Sequence, residues 1–323
     1  MKHYNISRIY IVGTVYSLFL YLLASDEKDI EKTFFFYGSG IKKRMLQKFP
    51  NKHYFNLSKH MWKKRLLRIY LRLFARLKWN FLKSLPIFAQ DHLTFASSLI
   101  GKREYVYIED GPNNVPNAYD TPLFKKHIKK GNKILKFLFG NVFLKPYGSN
   151  NQCKKMILTN HYKSDKEIML IDIKQEWEKA SESKKNLILS VFDISFNDSI
   201  FTEKRPVALF TSPFVTDEII TEKEQIEIYE SVLEKYSQKE IVIKSHPRDN
   251  IDYKRYFPDI EVFSKPVPMQ LLDCMGLRFE KAVTISSSSV LSIPYPIDIE
   301  WIGNECHPNL LAEYGSVKLN QTK

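Results

Sequence analysis

The sequence has few cysteines and no close pair of them. Only Cys153, Cys274 and Cys306 occur among 323 residues, and none belongs to a CxxC pair. Structural zinc sites and disulfide frameworks both need cysteines at short, repeated spacings. The pattern therefore argues against a zinc module and against a disulfide-stapled secreted domain, and it favours a reducing compartment.

Glycine and proline are also scarce, with 11 and 15 residues, which excludes a collagen-like or low-complexity chain. The hydrophobic fraction of 44% and the charged fraction of 26% are those of a globular protein. The length exceeds the usual size of one compact domain, so two domains are expected. We place them at residues 1–195 and 196–323.

No apolar run is long enough to span a membrane. The longest one near the N-terminus, Ile9 to Ala24, falls short of the roughly 20 residues that a spanning helix needs, and no clear small-residue cleavage site follows it. We interpret it as a buried strand (RIYIVG) followed by a helix (TVYSLFLYLLA), in preference to a signal anchor.

Short β-rich runs alternate with helical stretches along the whole chain, which is the pattern of parallel sheets covered by helices. The strands predicted in the first half are Arg8 to Val12, Thr33 to Tyr37, His53 to Leu57, Pro86 to Ala89, Tyr105 to Ile108 and Lys155 to Thr159. A polar helical region is expected from there to Lys185. Four further strands are predicted in a second, smaller unit: Val207 to Thr211, Glu240 to Lys244, Ile260 to Phe263 and Ala282 to Ser286. The fold class is therefore α/β.

The formal net charge of +13 indicates an anionic partner. A basic helix is predicted from Lys59 to Lys83, with Ser58 as its N-cap. Its arginines share one face and its leucines and aromatic residues another, an arrangement that suits an anionic membrane surface. A solvated surface helix is the alternative. Nucleic acid is disfavoured because no zinc-finger, RNP or helix-turn-helix pattern accompanies the charge.

Two carboxylates follow the predicted strand that ends at Ile108. Glu109 and Asp110 precede Gly111 and Pro112, at the carboxyl end of a parallel strand, where α/β sheets bind ligands. A carboxylate there can deprotonate an acceptor hydroxyl. The same residues are also typical of an ordinary turn.

Two motifs in the second half follow strands in the same way. In KSHPRD, residues 244–249, His246 could protonate or hydrogen-bond a departing phosphate because its pKa lies near working pH; a loop-capping histidine is the alternative. The serine run 286–289 precedes a predicted helix start, where hydroxyls and backbone N–H groups favour a phosphate. A flexible surface turn is the alternative there.

The order Glu-Asp-Gly, His-Pro and serine cluster is similar to the motif set of the bacterial GT-B sialyltransferases. The chain most resembles the lipooligosaccharide and capsular sialyltransferases of glycosyltransferase family 52. The resemblance runs from the opening strand and Gly13-Thr14 through Thr211-Ser212-Pro213-Phe214 to the serine run. It implies a GT-B fold, in which two Rossmann-like domains face each other across a cleft, with the acceptor side in residues 1–195 and the CMP side in residues 196–323.

The resemblance also implies roles for individual residues. Asp110 would be the general base and His246 the general acid. Donor-binding roles fall to Ser212, Gln270, Ser287, Ser288 and Ser289. Gln270 stands where related enzymes often carry an acidic residue that holds the ribose hydroxyls, and it is a departure from that pattern.

The reaction implied is an inverting transfer of sialic acid from CMP-sialic acid to a terminal galactose of lipooligosaccharide or capsule, with an α-2,3 linkage expected. It requires no cofactor and no metal, and no Asp-x-Asp triplet lies near the motifs. We expect a cytoplasmic protein held on the inner face of the bacterial membrane, without a nucleic-acid partner, and a homodimer is compatible with this. Two alternatives stay open: a related transferase with another nucleotide-sugar donor, and a non-catalytic membrane-associated scaffold.

Overall fold

The computed structural model describes residues 5–56, 61–111, 134, 146–203 and 205–316. The chain divides into two compact units, residues 1–191 and 192–323. Within the described residues each unit contains one sheet, and every strand pair of these two sheets is parallel.

The first unit has a seven-stranded sheet in the order β3-β2-β1-β4-β5-β6-β7. Its strands are β1 (Arg8–Val12), β2 (Thr33–Tyr37), β3 (Lys52–Tyr54), β4 (Ile87–Ala89), β5 (Tyr105–Ile108), β6 (Cys153–Leu158) and β7 (Glu167–Leu170). The central strands read as continuous apolar runs because helices cover both faces of the sheet.

The described part of the first unit has six α-helices beside this sheet: α1 (Val15–Ala24), α2 (Glu27–Glu31), α3 (Met61–Lys78), α4 (Ala96–Ile100), α5 (Ile173–Lys179) and α6 (Glu182–Phe192). The last of them ends at the first residue of the second unit. α1 begins at Val15 because the hydroxyl of Thr14 accepts a hydrogen bond from the Ser17 N–H. The predicted N-terminal strand and helix are thus confirmed. Among the helices of the described part of the chain, none has the length and apolar content to cross a bilayer.

The second unit has a five-stranded sheet in the order β10-β9-β8-β11-β12. Its strands are β8 (Val207–Phe210), β9 (Ile241–Lys244), β10 (Glu261–Phe263), β11 (Lys281–Thr284) and β12 (Asp298–Trp301). Its helices are α7 (Ser199–Thr202), α8 (Glu222–Leu233), α9 (Tyr253–Tyr256), α10 (Met269–Cys274) and α11 (Pro308–Tyr314). The serine run is followed by a 3₁₀-helix, Ser288–Ser292.

Two strands were not expected from the sequence, and both lie at sheet edges. β7 occupies the start of the region predicted to be helical, and β12 makes the second sheet five-stranded instead of four-stranded. The residues of both strands are mostly exposed or half-buried. Because an edge strand buries little surface, it lacks the apolar run by which the central strands are recognised.

The predicted basic helix corresponds to α3, which is described from Met61 onward and ends at Lys78, before the predicted end at Lys83. Its expected cap, Ser58, lies outside the described residues, as do residues 112–121 of the loop after Asp110. The lysine-rich stretch from Lys125 to Lys136 lies outside them too, except for residue 134.

The loops after β1 and β2 approach each other closely at two glycines. A Cβ added to Gly40 would overlap the backbone carbonyl oxygen of Gly13. Backbone cannot rotate away as a side chain can, so any residue larger than glycine at this position must push the two loops apart.

We therefore expect Gly40→Ala to destabilise the first unit by about 1–3 kcal/mol and to displace the Gly13-Thr14 loop. Urea unfolding would measure the loss. Ser39→Ala, one residue earlier and exposed, is the matched control and should be nearly neutral. Equal stability of the two variants would contradict the close approach.

Candidate functional site

Several polar side chains lie at the point where the strand order of the first sheet reverses. Strands before β4 are added on one side of β1 and later strands on the other, so the loops after β1 and β4 diverge and leave a crevice at the carboxyl edge. The loop after β1 supplies Gly13 and Thr14, and the loop after β4 supplies Gln90. Asp110 comes from the loop after β5, the next strand along.

Gln90 is fully buried and joins these three loops. Its Oε1 accepts hydrogen bonds from the backbone N–H groups of Gly13 and, at 3.1 Å, Thr14. Its Nε2 donates to Oδ1 of Asp110 and, at 3.0 Å, to the Thr14 hydroxyl. The Thr14 hydroxyl also lies 3.1 Å from the carbonyl oxygen of Asp110. Both the backbone and the side chain of Asp110 are therefore fixed.

The two consecutive carboxylates have different surroundings. Glu109 is wholly buried and accepts hydrogen bonds from the Tyr16 hydroxyl, the Thr159 hydroxyl (2.6 Å) and the Thr159 N–H (3.0 Å). Burial raises the pKa of Glu109, and these hydrogen bonds oppose that rise. The side chain of Asp110 is 13% exposed. Of the two, only Asp110 can meet a substrate.

His92 faces Asp110 from the loop after β4. Its Nε2 lies 3.5 Å from Oδ2 of Asp110, and its ring stacks on Tyr147 with centroids 4.8 Å apart. Among the described residues, Nδ1 of His92 is buried and has no hydrogen-bond partner. A hydrogen on Nδ1 would be buried without an acceptor, so the geometry favours the tautomer with its hydrogen on Nε2, towards Asp110.

Asp91 fixes the backbone of the tyrosine in this stack. Its buried carboxylate accepts hydrogen bonds from the N–H groups of Tyr147 (2.6 Å) and Gly148 (2.8 Å) and from the Tyr105 hydroxyl (2.7 Å). Tyr147 has a φ of 56°, in the left-handed region that is unfavourable for a residue with a Cβ. The paired hydrogen bonds to Asp91 hold the turn in this conformation and thereby place the ring beneath His92.

The second sheet has the same kind of reversal, between β8 and β11. Ser212 follows β8, the serine run follows β11, and His246 follows β9 on the other side of β8. The carboxyl edge of this unit thus brings together Ser212, His246 and the serines. Asp110 belongs to the other unit.

The backbone around His246 is fixed by a buried polar network. Its N–H donates to the Thr211 hydroxyl at 2.9 Å, and that hydroxyl donates to Asp249 at 2.8 Å. Asp249 also accepts a hydrogen bond from the Tyr253 hydroxyl, and the amide of Gln225 joins this network to the carbonyl of Ser212. The network links the loops after β8 and β9.

The imidazole of His246 has a defined tautomer. The N–H of Arg248 donates to its Nδ1 at 3.1 Å, so in the neutral ring the hydrogen is on Nε2. Burial, and then the positive charges of Arg248 and Lys244, lower the pKa of His246 to about 4. At neutral pH this side chain is an uncharged hydrogen-bond donor.

Lys244 precedes His246 by two residues and is itself buried. Its Nζ donates to the carbonyl oxygen of Val267 at 3.1 Å and lies 5.5 Å from the centroid of the Phe263 ring. Burial lowers its pKa to about 8. The hydroxyl of the intervening Ser245 is buried and has no partner among the described residues.

The serines of the run differ in exposure. Ser287 is buried and its hydroxyl lies 2.6 Å from that of Ser289, whereas Ser288 is exposed. The Ser287 N–H donates to the Thr284 hydroxyl at 2.9 Å. Gln270 is 5% exposed and donates through Nε2 to the carbonyl oxygen of Ser292 at 2.6 Å, which ties α10 to the helix after the run.

Sequence reasoning did not identify Gln90, Asp91 or His92 as site residues. They directly follow a strand that was predicted, at the sheet edge where Asp110 was expected. The same rule that selected Asp110, a polar side chain at the carboxyl end of a parallel strand, could have found them. Thr14, in contrast, caps α1 and contacts the backbone of Asp110, and these two contacts can be recognised only from the fold.

The depressed pKa of His246 predicts acid sensitivity. In the unfolded chain this histidine has an ordinary pKa near 6.5, so it binds a proton more readily there than in the folded chain. The contribution of His246 to the free energy of unfolding is therefore fully present above about pH 6.5 and is lost as the pH falls towards 4. Between pH 7 and 5 we expect His246 to contribute a loss of roughly 2 kcal/mol. Urea unfolding at both pH values should show a smaller loss for His246→Gln. An equal loss in both proteins would contradict the burial of a neutral ring.

The sequence is similar to those of known proteins over most of its length. A sequence model of glycosyltransferase family 52 matches residues 27–301. An uncharacterized protein of Haemophilus influenzae is 28% identical over 313 residues, which cover 95% of this chain and 98% of that protein.

Three solved structures share the fold at low sequence identity. The GT-B domain of a Photobacterium damselae sialyltransferase has a TM-score of 0.54 at 14% identity, covering 92% of this chain and 90% of that one. An alpha/beta-galactoside alpha-2,3-sialyltransferase from Photobacterium phosphoreum has a TM-score of 0.55 at 10% identity, covering 92% of this chain and 91% of that one. A UDP-GlcNAc 2-epimerase from Methanocaldococcus jannaschii has a TM-score of 0.51 at 12% identity, covering 97% of this chain and 94% of that one. The predicted GT-B fold is confirmed.

The family resemblance seen in the three motifs agrees with the sequence model, which covers most of the chain. This chain belongs to glycosyltransferase family 52.

Proposed function

We propose that this glycosyltransferase transfers sialic acid from CMP-sialic acid to a terminal galactose of a bacterial surface glycan, with inversion at the anomeric carbon and an α-2,3 linkage. The observation that carries the proposal is the set of side chains at the carboxyl edge of each sheet, at the point where the strand order reverses. One holds a fixed, accessible carboxylate beside a histidine, and the other holds a neutral histidine beside a group of serine hydroxyls.

Asp110 acts as the general base. Its carboxylate takes the proton of the acceptor hydroxyl while that oxygen attacks the anomeric carbon of the donor. The Gln90 amide holds one carboxylate oxygen, and the second oxygen is the one that faces His92. His92 is a positioning residue, because a hydrogen bond from its Nε2 would fix the orientation of the carboxylate and stabilise its charge before the proton is taken.

His246 acts on the leaving group. As the bond from the anomeric carbon to the phosphate oxygen breaks, negative charge grows on the CMP phosphate. The uncharged imidazole of His246 donates a hydrogen bond from its Nε2 N–H to that phosphate and stabilises the growing negative charge. Ser287, Ser288 and Ser289 supply hydroxyl donors to the same phosphate, and Ser212 binds the donor from the neighbouring loop.

The names of two structural neighbours, both sialyltransferases, support the choice of donor and reaction. Gln270 is expected to reach the ribose through its amide oxygen, since its amide nitrogen already donates to Ser292. No step requires a metal. If another nucleotide sugar is the donor, the same residues would perform the same steps on it.

The proposal predicts separate losses of activity in Asp110→Asn and His246→Ala. Each should lower kcat by about 10²–10⁴-fold, because Asp110→Asn removes the base that takes the acceptor proton and His246→Ala removes a hydrogen-bond donor to the leaving phosphate. Release of CMP from CMP-sialic acid would be followed in EDTA with a galactose-terminated acceptor, beside a panel of other nucleotide sugars.

Ser39→Ala serves as the control for expression and assay, and circular dichroism checks that the inactive variants are folded. Undiminished turnover in both variants would overturn the mechanism, whereas no turnover of any nucleotide sugar by the unaltered chain would favour a non-catalytic scaffold. Turnover of a different nucleotide sugar, lost in both variants, would keep the mechanism and replace the donor.

His92 can be tested apart from Asp110. His92→Phe keeps a ring to stack on Tyr147 but has no nitrogen to face Asp110. We expect kcat to fall by about tenfold or more with little change in KM, since a hydrogen bond to a charged group is lost. His92→Gln, which can offer an amide N–H, should recover part of the activity. A kcat that His92→Phe leaves unchanged would remove His92 from the mechanism.

A further inference from the structure

The carboxyl edge of the second sheet carries three basic side chains, and two of them are neutralised. Arg248, in the loop after β9, donates to the two carboxylate oxygens of Asp217 at 2.6 and 3.1 Å. Lys265, in the segment after β10, donates to the two oxygens of Asp198 at 3.0 and 2.8 Å. Lys244 is the exception, because the described part of the chain gives its ammonium no carboxylate partner.

Lys244 is the last residue of β9 and lies between two neighbouring strands. Its register partners are Phe210 of β8 and Phe263 of β10, neither of which ionises. The residue is only 6% exposed, and its Nζ donates to the carbonyl oxygen of Val267 at 3.1 Å. One carbonyl compensates a small part of the free energy that is lost when an ammonium leaves water. This loss is the reason why the pKa of Lys244 is lowered to about 8.

The position of Lys244 in the chain connects this buried charge with the donor site. Lys244 precedes His246 by two residues, a span of about 7 Å along an extended chain. His246 and the serine hydroxyls can donate hydrogen bonds to a phosphate, but at neutral pH none of them carries a positive charge. In a low-dielectric interior a charge acts on a nearby anion without touching it. Lys244 can therefore supply the positive charge that the contacting groups lack.

The hydrogen bond to Val267 has a structural role of its own, since it fixes the segment before α10 to the end of β9. A neutral donor would be sufficient for that role, and its burial would cost less than that of an ammonium. Buried charges without an ion-pair partner are concentrated at functional sites. The choice of a lysine at this position therefore points to a use for the charge itself.

We propose that Lys244 is a positioning residue of the donor site that acts through its charge: the buried ammonium attracts the phosphate of the bound nucleotide through the protein interior, and the nucleotide in turn holds the proton on Lys244. This inference rests on the donor site proposed above. Nucleotide binding and protonation of Lys244 are then coupled, so each strengthens the other by the same factor.

The coupling is measured as proton uptake when CMP binds to the full chain. Titration calorimetry at pH 8.5, in two buffers of different ionisation enthalpy, gives the number of protons bound per CMP. A tenfold preference of CMP for the charged form would raise the pKa of Lys244 by one unit from about 8, so we expect an uptake of about half a proton. At this pH the phosphate of CMP is already ionised, and His246, with a pKa of about 4, is neutral.

Variants separate the charge of Lys244 from its hydrogen bond. Lys244→Met should abolish the proton uptake and weaken CMP binding at pH 7 by about tenfold. Lys244→Gln offers a neutral donor to Val267 and should show the same two losses. Lys254→Met is the matched control, because the Nζ of Lys254 also donates to a backbone carbonyl, that of Ile260 at 3.1 Å; it should keep both the uptake and the affinity. His246→Gln should keep the uptake, and thermal unfolding would show that the variants are folded.

The unaltered chain alone can refute the proposal. CMP binding without proton uptake at pH 8.5 would mean that Lys244 acts only through its hydrogen bond to Val267, and full affinity of Lys244→Gln at pH 7 would mean the same. If CMP does not bind at all, the donor proposed above is wrong, and the role of Lys244 is wrong with it.

Discussion

The arrangement of the carboxyl edge of the first sheet depends on one buried amide. Gln90 lies in the loop after β4 and holds the loop after β1 with its oxygen and the loop after β5 with its nitrogen. Neighbouring parallel strands end at the same edge but do not hydrogen-bond to one another beyond their last residues, so without such a bridge their loops are independent. A side chain that is both donor and acceptor is required here, and a carboxylate in its place would face Asp110 with like charge.

The two units differ in charge as well as in sequence. Residues 192–323 contain 14 basic and 21 acidic residues, a net charge of −7, so the excess positive charge lies wholly in residues 1–191. The net charge of the whole chain therefore says nothing about how an anionic nucleotide would be recognised by the second unit. An anionic ligand of this unit would have to be bound by local groups, namely neutral N–H and O–H donors, because Lys244 is buried and Arg248 is paired with Asp217.

The sequence was sufficient to predict the central strands, because a strand covered on both faces needs an unbroken apolar run. It failed at β7 and β12, where one side of each strand has no neighbouring strand and polar residues are tolerated. Asp110, His246 and the serines could be located from their positions after strands. Gln90 and His92 share with Asp110 the signal of a polar side chain after a predicted strand. Their contacts, however, follow from strand order, which places the loop after β4 between the loops after β1 and β5, and no local pattern encodes that order.

The opposite net charges of the two units have a consequence for the stability of each. Residues 1–191 contain 35 basic and 15 acidic residues, a net charge of +20, against −7 for residues 192–323. A compact unit with a large net charge is destabilised by repulsion among its like charges, and dissolved salt screens that repulsion. Added salt would therefore stabilise the first unit more than the second.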